Sequence, residues 1–180
     1  MEKRNEKTGN RSKRIVIIGP ESTGKTALCK KLSEYYKTVW VPEYAREYVE
    51  NLNREYEYKD LIKIAEKQIS EFNNDYSNAD KFIFFDTYLI ITKVWFQVVY
   101  NKYPLWLDKE IKKSKIDLFL LCNTDIEWEP DNVRENPDKR DELFNLYKKE
   151  LENYNFNYKI ISGEGKERFE KAKQYLTKLQ

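Results

Sequence analysis

Residues 15–28, IVIIGPESTGKTAL, set an apolar run directly before Gly19-Pro20-Glu21-Ser22-Thr23-Gly24-Lys25-Thr26. This octet has the form G-x-x-x-x-G-K-[ST], with a strand-like run before it and a helix-like pattern after it, the context in which such a loop wraps phosphate. Each position has a physical reason. Glycines at 19 and 24 permit positive φ and close approach, so that successive backbone N–H groups can converge on phosphate oxygens. Lys25 can reach the β and γ phosphates, and the Thr26 hydroxyl suits Mg²⁺. The start of the following helix adds partial positive charge. Gly19, Glu21, Ser22, Thr23, Gly24, Lys25, Thr26 and Ala27 are therefore the candidate contacts of an ATP phosphate chain.

Four further short apolar runs follow, TVWV (38–41), KFIFFD (81–86), DLFLLC (117–122) and YKIIS (158–162). Their hydrophobicity is continuous rather than alternating, which predicts strands buried on both faces, as in a parallel sheet covered by helices. Helical periodicity stands between them: Leu28, Leu32 and Tyr35 share one face, as do Leu61, Ala65, Ile69 and Phe72, and then Leu143, Tyr147, Leu151 and Tyr154. The expected fold is a P-loop NTPase, a three-layer α/β/α domain around a mainly parallel five-stranded sheet. Residues 1–13 read as a flexible basic tail, and residues 14–180 as one kinase-like domain. Residues 123–140, NTDIEWEPDNVRENPDKR, match neither period and are expected to form a lid.

Composition narrows the function classes. Lysine and arginine total 33 against 31 for aspartate and glutamate, so the surface lacks the basic bias of a nucleic-acid binder, and no nucleic acid is expected. No stretch approaches the roughly 20 apolar residues of a membrane span, so the expectation is a cytoplasmic protein with no membrane partner. There is no histidine. Acid–base work then falls to carboxylates or lysine. Cys29 and Cys122, without CxxC spacing, read as buried reduced thiols.

Asp86 closes an apolar strand, where the second acidic group of a nucleotide site would hold Mg²⁺ with Thr26; it could instead cap the next helix. A guanine switch is disfavoured, because no D-x-x-G follows that strand and no N-K-x-D follows the next. A small-molecule kinase needs an acceptor pocket, a group to orient the acceptor hydroxyl, and mobile positive charge over the phosphates. Glu43 and Arg46 share one face of PEYARE beside the P-loop edge, with Tyr44 next to them. Arg134 and Arg140 offer charge from the long loop. Tyr88 and Trp128 are the candidates to stack on a flat heterocycle, and Trp95 reads as core.

The blocks GPESTGKTAL, VPEYAREYVE, FFDTYLIITKVW and DLFLLCNTDIEWEPDNVREN resemble, in order and spacing, the ribosylnicotinamide kinase domain of the NadR family. The resemblance covers residues 14 to 178. It implies a Mg-ATP-dependent kinase of the nicotinamide riboside 5′-hydroxyl. It also implies a phosphate cradle at Gly24, Lys25 and Thr26, an acidic and arginine block at Glu43 and Arg46, the strand-terminal Asp86, and lid residues Trp128, Asp131 and Arg134. Tyr88 departs from the family, which often carries an acid there, and Asn132 stands where the family favours glycine. Two roles stay open for orienting the hydroxyl, Glu43 or Asp86. Two other functions also stay open: a nucleotide-binding regulatory ATPase with little turnover, and a kinase of another nucleoside or nucleotide. The oligomeric state is not legible.

Overall fold

The computed structural model describes residues 11–179. Five strands, β1 (Lys13–Ile18), β2 (Val39–Val41), β3 (Phe82–Asp86), β4 (Leu118–Cys122) and β5 (Tyr158–Ile161), form one sheet in the order β2-β3-β1-β4-β5. Every neighbouring pair is parallel, as the continuous apolar runs predicted. Among the described residues six α-helices lie between the strands, α1 (Lys25–Tyr36), α2 (Tyr44–Glu50), α3 (Tyr58–Phe72), α4 (Leu89–Tyr100), α5 (Leu105–Lys113) and α6 (Arg140–Asn153), and α7 (Lys166–Thr177) follows the last.

The pleat sorts successive residues of each strand to opposite faces. Ile15 and Ile17 join Phe82, Phe84, Leu118 and Leu120 against Leu28 and Leu32 of α1 and Ala172 and Leu176 of α7. Val16 and Ile18 join Phe85, Phe119 and Leu121 against Leu61 of α3, Val94 of α4, Leu107 of α5 and Leu151 of α6. Three layers result, and burial on both faces explains why the central stretches of the strands are continuously apolar. Both cysteines lie inside this core as free thiols. Burial raises both, pushing Cys122 up to about 11 and Cys29 well above the ordinary thiol range.

Residues 1–10 of the basic segment lie outside the described residues. Its last three join the fold: Arg11 donates to both carboxylate oxygens of Asp117 at 3.1 and 3.0 Å, the Ser12 hydroxyl donates to the Ala79 carbonyl, and Lys13 opens β1.

The strand order has a consequence for the site. The chain leaves β1 through α1 toward β2 on one side and later reaches β4 on the other, so β1 stands at the switch point where open parallel sheets form a crevice. Ile17 of β1 is in register with Asp86 of β3. The loop after β1 and the acid ending β3 therefore meet at one edge.

Candidate active site

Between β1 and α1 the chain turns through Gly19 at φ 153° and Gly24 at φ 72°. A Cβ on Gly19 would meet the Cys122 carbonyl oxygen at 2.7 Å, so β4 packs directly against the loop. The buried Thr23 hydroxyl donates to the Pro20 carbonyl at 2.8 Å, and Lys25 Nζ reaches the same oxygen at 2.8 Å. The loop is thus held by its own side chains, with Gly19, Glu21, Ser22, Thr23, Gly24, Lys25, Thr26 and Ala27 all lining one cleft of about 1090 Å³.

Beside it, the Thr26 hydroxyl donates to Asp86 Oδ2 at 2.6 Å. Asp86 is only 2% exposed, and its Oδ1 is buried without a partner. Burial raises its pKa against the opposing pull of Lys25 and Thr26. An orphaned carboxylate oxygen next to a threonine hydroxyl fits a divalent ion held by two protein oxygens, with the remaining positions left to water and phosphate.

Glu43 stands just before α2 and faces the same cleft. It has no hydrogen bond or ion pair among the described residues. Desolvation pushes its carboxyl up to about 7, with Lys25 pulling the other way and Asp86 adding to the rise. Arg46, one turn on, pairs with Glu50 at 2.9 Å and with Asp131 of the long loop at 2.8 Å. Arg134 joins the same acid at 3.0 Å. Burial works against the Asp131 charge, but these arginines and the Val133 amide hold its carboxyl below the usual range.

The long loop sits down on the P-loop. Glu21 Oε2 accepts the amides of Glu135 and Asn136 at 3.1 and 3.0 Å. Ser22 Oγ donates to the Glu127 carbonyl at 3.3 Å and accepts the Glu129 amide at 2.8 Å. Glu21 and Ser22, read from the sequence only as phosphate contacts, also fasten the loop that covers them.

The cleft continues past Glu43 into a second half walled by α2, α3 and α4. Ala45, Val49, Tyr56, Ile91, Trp95, Val98 and Val99 line it. Gln68, 6% exposed, accepts the Thr92 hydroxyl at 2.7 Å at the same wall.

Four expectations about side chains are corrected. Tyr88 is 4% exposed and stacks on Phe72 with centroids 4.5 Å apart, away from the cleft; burial pushes its phenol up to about 12. Just before it Thr87 takes φ 71°, a left-handed conformation rare for a β-branched residue. Thr87 itself lines the cleft. Trp95 packs against the core as expected and also forms part of the cleft wall, whereas Trp128 does not line the cleft. Arg140 lies over the Trp128 ring at 6.0 Å and donates to the carbonyls of Ser22 and Ile126 at 3.1 and 2.8 Å, bracing the loop from outside the cleft. Tyr44 packs 5.8 Å from Tyr48, also outside it.

Sequence reasoning missed Arg168. This 4% exposed guanidinium on α7 donates to the carbonyls of Thr23 at 2.8 Å and Asn123 at 2.9 Å and pairs with Asp125. It ties the P-loop to the loops after β4 and β5. Its only sequence signal is a basic residue two positions past GEGK, which periodicity cannot distinguish from a solvated one.

Relatives in sequence and shape agree with this geometry. The chain is 27% identical over 158 residues to the trifunctional NAD biosynthesis/regulator protein NadR of Escherichia coli (strain K12), covering 83% of this chain and 38% of that protein. The NadR of Salmonella typhimurium is 27% identical over 126 residues, 67% of this chain and 30% of that one. The chain therefore spans well under half the length of these curated relatives. A crystal structure of a NadR protein in complex with NR superposes with a TM-score of 0.78 at 23% identity, covering 93% of this chain and 50% of that chain. Deoxyadenosine kinase from M. mycoides follows the same fold with a TM-score of 0.66 at 14% identity, covering 93% and 100%. The resemblance to NadR read from four sequence blocks thus recurs in both comparisons. Residues 14–168 match the model of the family described as AAA domain, and the chain belongs to that family.

Proposed function

We propose that this protein is a Mg-ATP-dependent kinase that phosphorylates the 5′-hydroxyl of nicotinamide riboside. The observation that carries the reading is the position of Glu43. An unpaired carboxylate with its pKa pushed up to about 7 stands in a single cleft that has a P-loop in one half and an apolar, aromatic pocket in the other. A carboxylate tuned near neutrality can accept a proton from an attacking hydroxyl at working pH. The likeness to NadR proteins, one of them in complex with NR, supports the choice of acceptor.

In this reading the residues divide the work. The P-loop amides and Lys25 hold the transferred phosphate, and Glu43 orients the acceptor hydroxyl and takes its proton. Thr26 and Asp86 would hold Mg²⁺, which when bound supplies charge neutralisation at the phosphate oxygens. This assignment leaves Asp86 out of the base role, since its Oδ2 is committed to Thr26. Arg134 covers the phosphates from the loop, and closure of that loop excludes water, so that transfer outruns hydrolysis. Asp131 and Arg46 fasten the loop to α2.

The test is ADP release from Mg-ATP with and without nicotinamide riboside, the mononucleotide product being read by mass. Product formed above a Lys25→Ala control supports the assignment. Tight ATP binding without product, or hydrolysis indifferent to added nucleoside, would replace it with a nucleotide-binding regulatory module or a different acceptor.

A further inference from the structure

Arg168 of α7, 4% exposed, gathers three loops on one guanidinium. It donates to the Thr23 carbonyl of the P-loop at 2.8 Å, to the Asn123 carbonyl after β4 at 2.9 Å and to the Gly163 carbonyl after β5. Asp125 pairs with it and also accepts the Gly163 amide at 2.6 Å, so the guanidinium is itself held in place. A planar fork of N–H donors can serve several carbonyls at once, whereas an ammonium acts as a single point charge.

The contact to Thr23 bears on the peptide that follows it. Thr23 is buried, with its hydroxyl tied to the Pro20 carbonyl, but the next residue is Gly24 at φ 72°. A glycine leaves the peptide plane between the two free to rotate. In a trans peptide the carbonyl and the N–H point in opposite directions, and no described peptide is cis. By holding the Thr23 carbonyl, Arg168 therefore turns the Gly24 N–H away from itself. That N–H meets no acceptor among the described residues, and Gly24 lines the cleft. It is a free donor at the start of α1, where the helix adds partial positive charge.

We infer that Arg168 is a positioning residue for phosphate: it fixes the Thr23–Gly24 peptide so that the Gly24 N–H is preset for an oxygen of the nucleotide's phosphate chain. A donor preset in this way costs no reorganisation when the anion arrives. The same guanidinium locks the loops after β4 and β5 to the P-loop. The inference rests on the nucleotide-binding part of the proposed function and is independent of the acceptor.

The test is calorimetric titration of Mg-ADP, with no acceptor present, into wild type and Arg168→Lys, each held well below its Tm. Amide NMR spectra follow Gly24 in the same samples. Lysine keeps the buried charge and loses the fork, so the variant separates geometry from Coulomb attraction. The expected result is a Kd about tenfold weaker in Arg168→Lys, the loss of one charge-assisted hydrogen bond. The shift of the Gly24 amide at saturating Mg-ADP should be smaller than in wild type. An Arg168→Lys protein that unfolds earlier in urea, yet binds Mg-ADP within about twofold of wild type and shifts Gly24 as wild type does, overturns the inference and leaves Arg168 a structural tie. Should Arg168→Lys fail to fold, Asp125→Asn loosens the guanidinium without removing it. An affinity about threefold weaker is then expected, and an unchanged one overturns the inference. Because no nucleoside is present, the positioning role can stand where nicotinamide riboside is not phosphorylated, and can fall where it is. Absence of Mg-ADP binding by wild type overturns both.

Discussion

Two regions of this molecule bury charge, and they treat it oppositely. In the first turn of α3, Asp60 is fully buried yet satisfied, accepting from Arg54 at 2.7 and 2.9 Å, from the Tyr48 hydroxyl at 2.8 Å and from the Glu57 amide at 2.8 Å. Arg54 first, then the amide and hydroxyl, hold its carboxyl far below the usual range despite burial. Lys93, 6% exposed, is likewise surrounded by Glu150 at 2.7 Å, Asp108 at 3.1 Å and the Tyr154 hydroxyl at 2.8 Å, fixing α4, α5 and α6 to one another. At the cleft, Asp86 keeps one oxygen orphaned and Glu43 has no partner, and both carboxyls are raised. Buried charge with every partner present builds architecture. Charge in the cleft left short of partners, buried at Asp86 and half-buried at Glu43, waits for a ligand.

The sharpest break in that contrast is Lys25→Ala, expected to lower phosphoryl transfer about a thousandfold. Its circular dichroism and Tm should stay close to wild type, because its only hydrogen-bond partner among the described residues is a carbonyl of its own loop. Loss of the fold in this variant would move Lys25 into the architectural class.

Next come two aspartates changed in the same way. Asp86→Asn should cost about a hundredfold in rate with little loss in urea-unfolding free energy. Asp60→Asn should do the reverse, costing about 2 kcal/mol because charge-assisted hydrogen bonds to a buried group are lost. The pH dependences have opposite signs. The Asp60 carboxyl is lowered by folding, so its contribution is present above the unfolded value of about 4 and is lost as pH falls below it. The Glu43 carboxyl is raised to about 7, so the fold is favoured while it is protonated and loses that contribution as pH climbs from the unfolded carboxylate range through about 7. Glu43→Gln should therefore raise Tm at pH 8 more than at pH 5.

The same residue sharpens the functional side. In wild type, kcat/KM should climb with pH and level off above about 7, and Glu43→Gln should be slow at every pH with that limb gone. A variant that keeps the limb would pass the base role to another group.

The smallest effects separate the two loop arginines. Arg134→Ala, inside the cleft, should reduce kcat about tenfold while raising KM for ATP by less than twofold. Arg140→Ala, outside it, should change Tm and leave kcat within about threefold, since its guanidinium braces the Ser22 and Ile126 carbonyls. Equal kinetic losses would place both arginines in one role.

Much of this was legible before any coordinates. The P-loop announces itself because phosphate binding needs glycines, a lysine and a hydroxyl at fixed spacing between a strand and a helix, and all eight residues of that motif arrive where the pattern put them. The five apolar runs became five strands, and continuous apolarity foretold a sheet covered on both faces. Asp86 could be named because a strand-terminal acid is a local feature. These are properties of short segments, fixed by backbone conformation and burial.

Orientation was not legible. Tyr88 and Trp95 lie on one continuous stretch, yet Tyr88 stacks on Phe72 in the core while Trp95 also reaches the cleft wall, the backbone between Asp86 and Tyr88 passing through a left-handed residue at Thr87. Nothing in a run of aromatics specifies that turn. Arg168 and Arg140 are exposed-looking cations that each donate to a P-loop carbonyl more than a hundred residues away. Glu135 gains its place over Tyr56 only when the long loop sits down on Glu21. Sequence determined the elements, the phosphate loop and the acid beside it, because those obey local periodicity and motif chemistry. Only the tertiary structure decided which side chains face the cleft and which charges remain unpaired, because both depend on contacts between segments far apart in the chain.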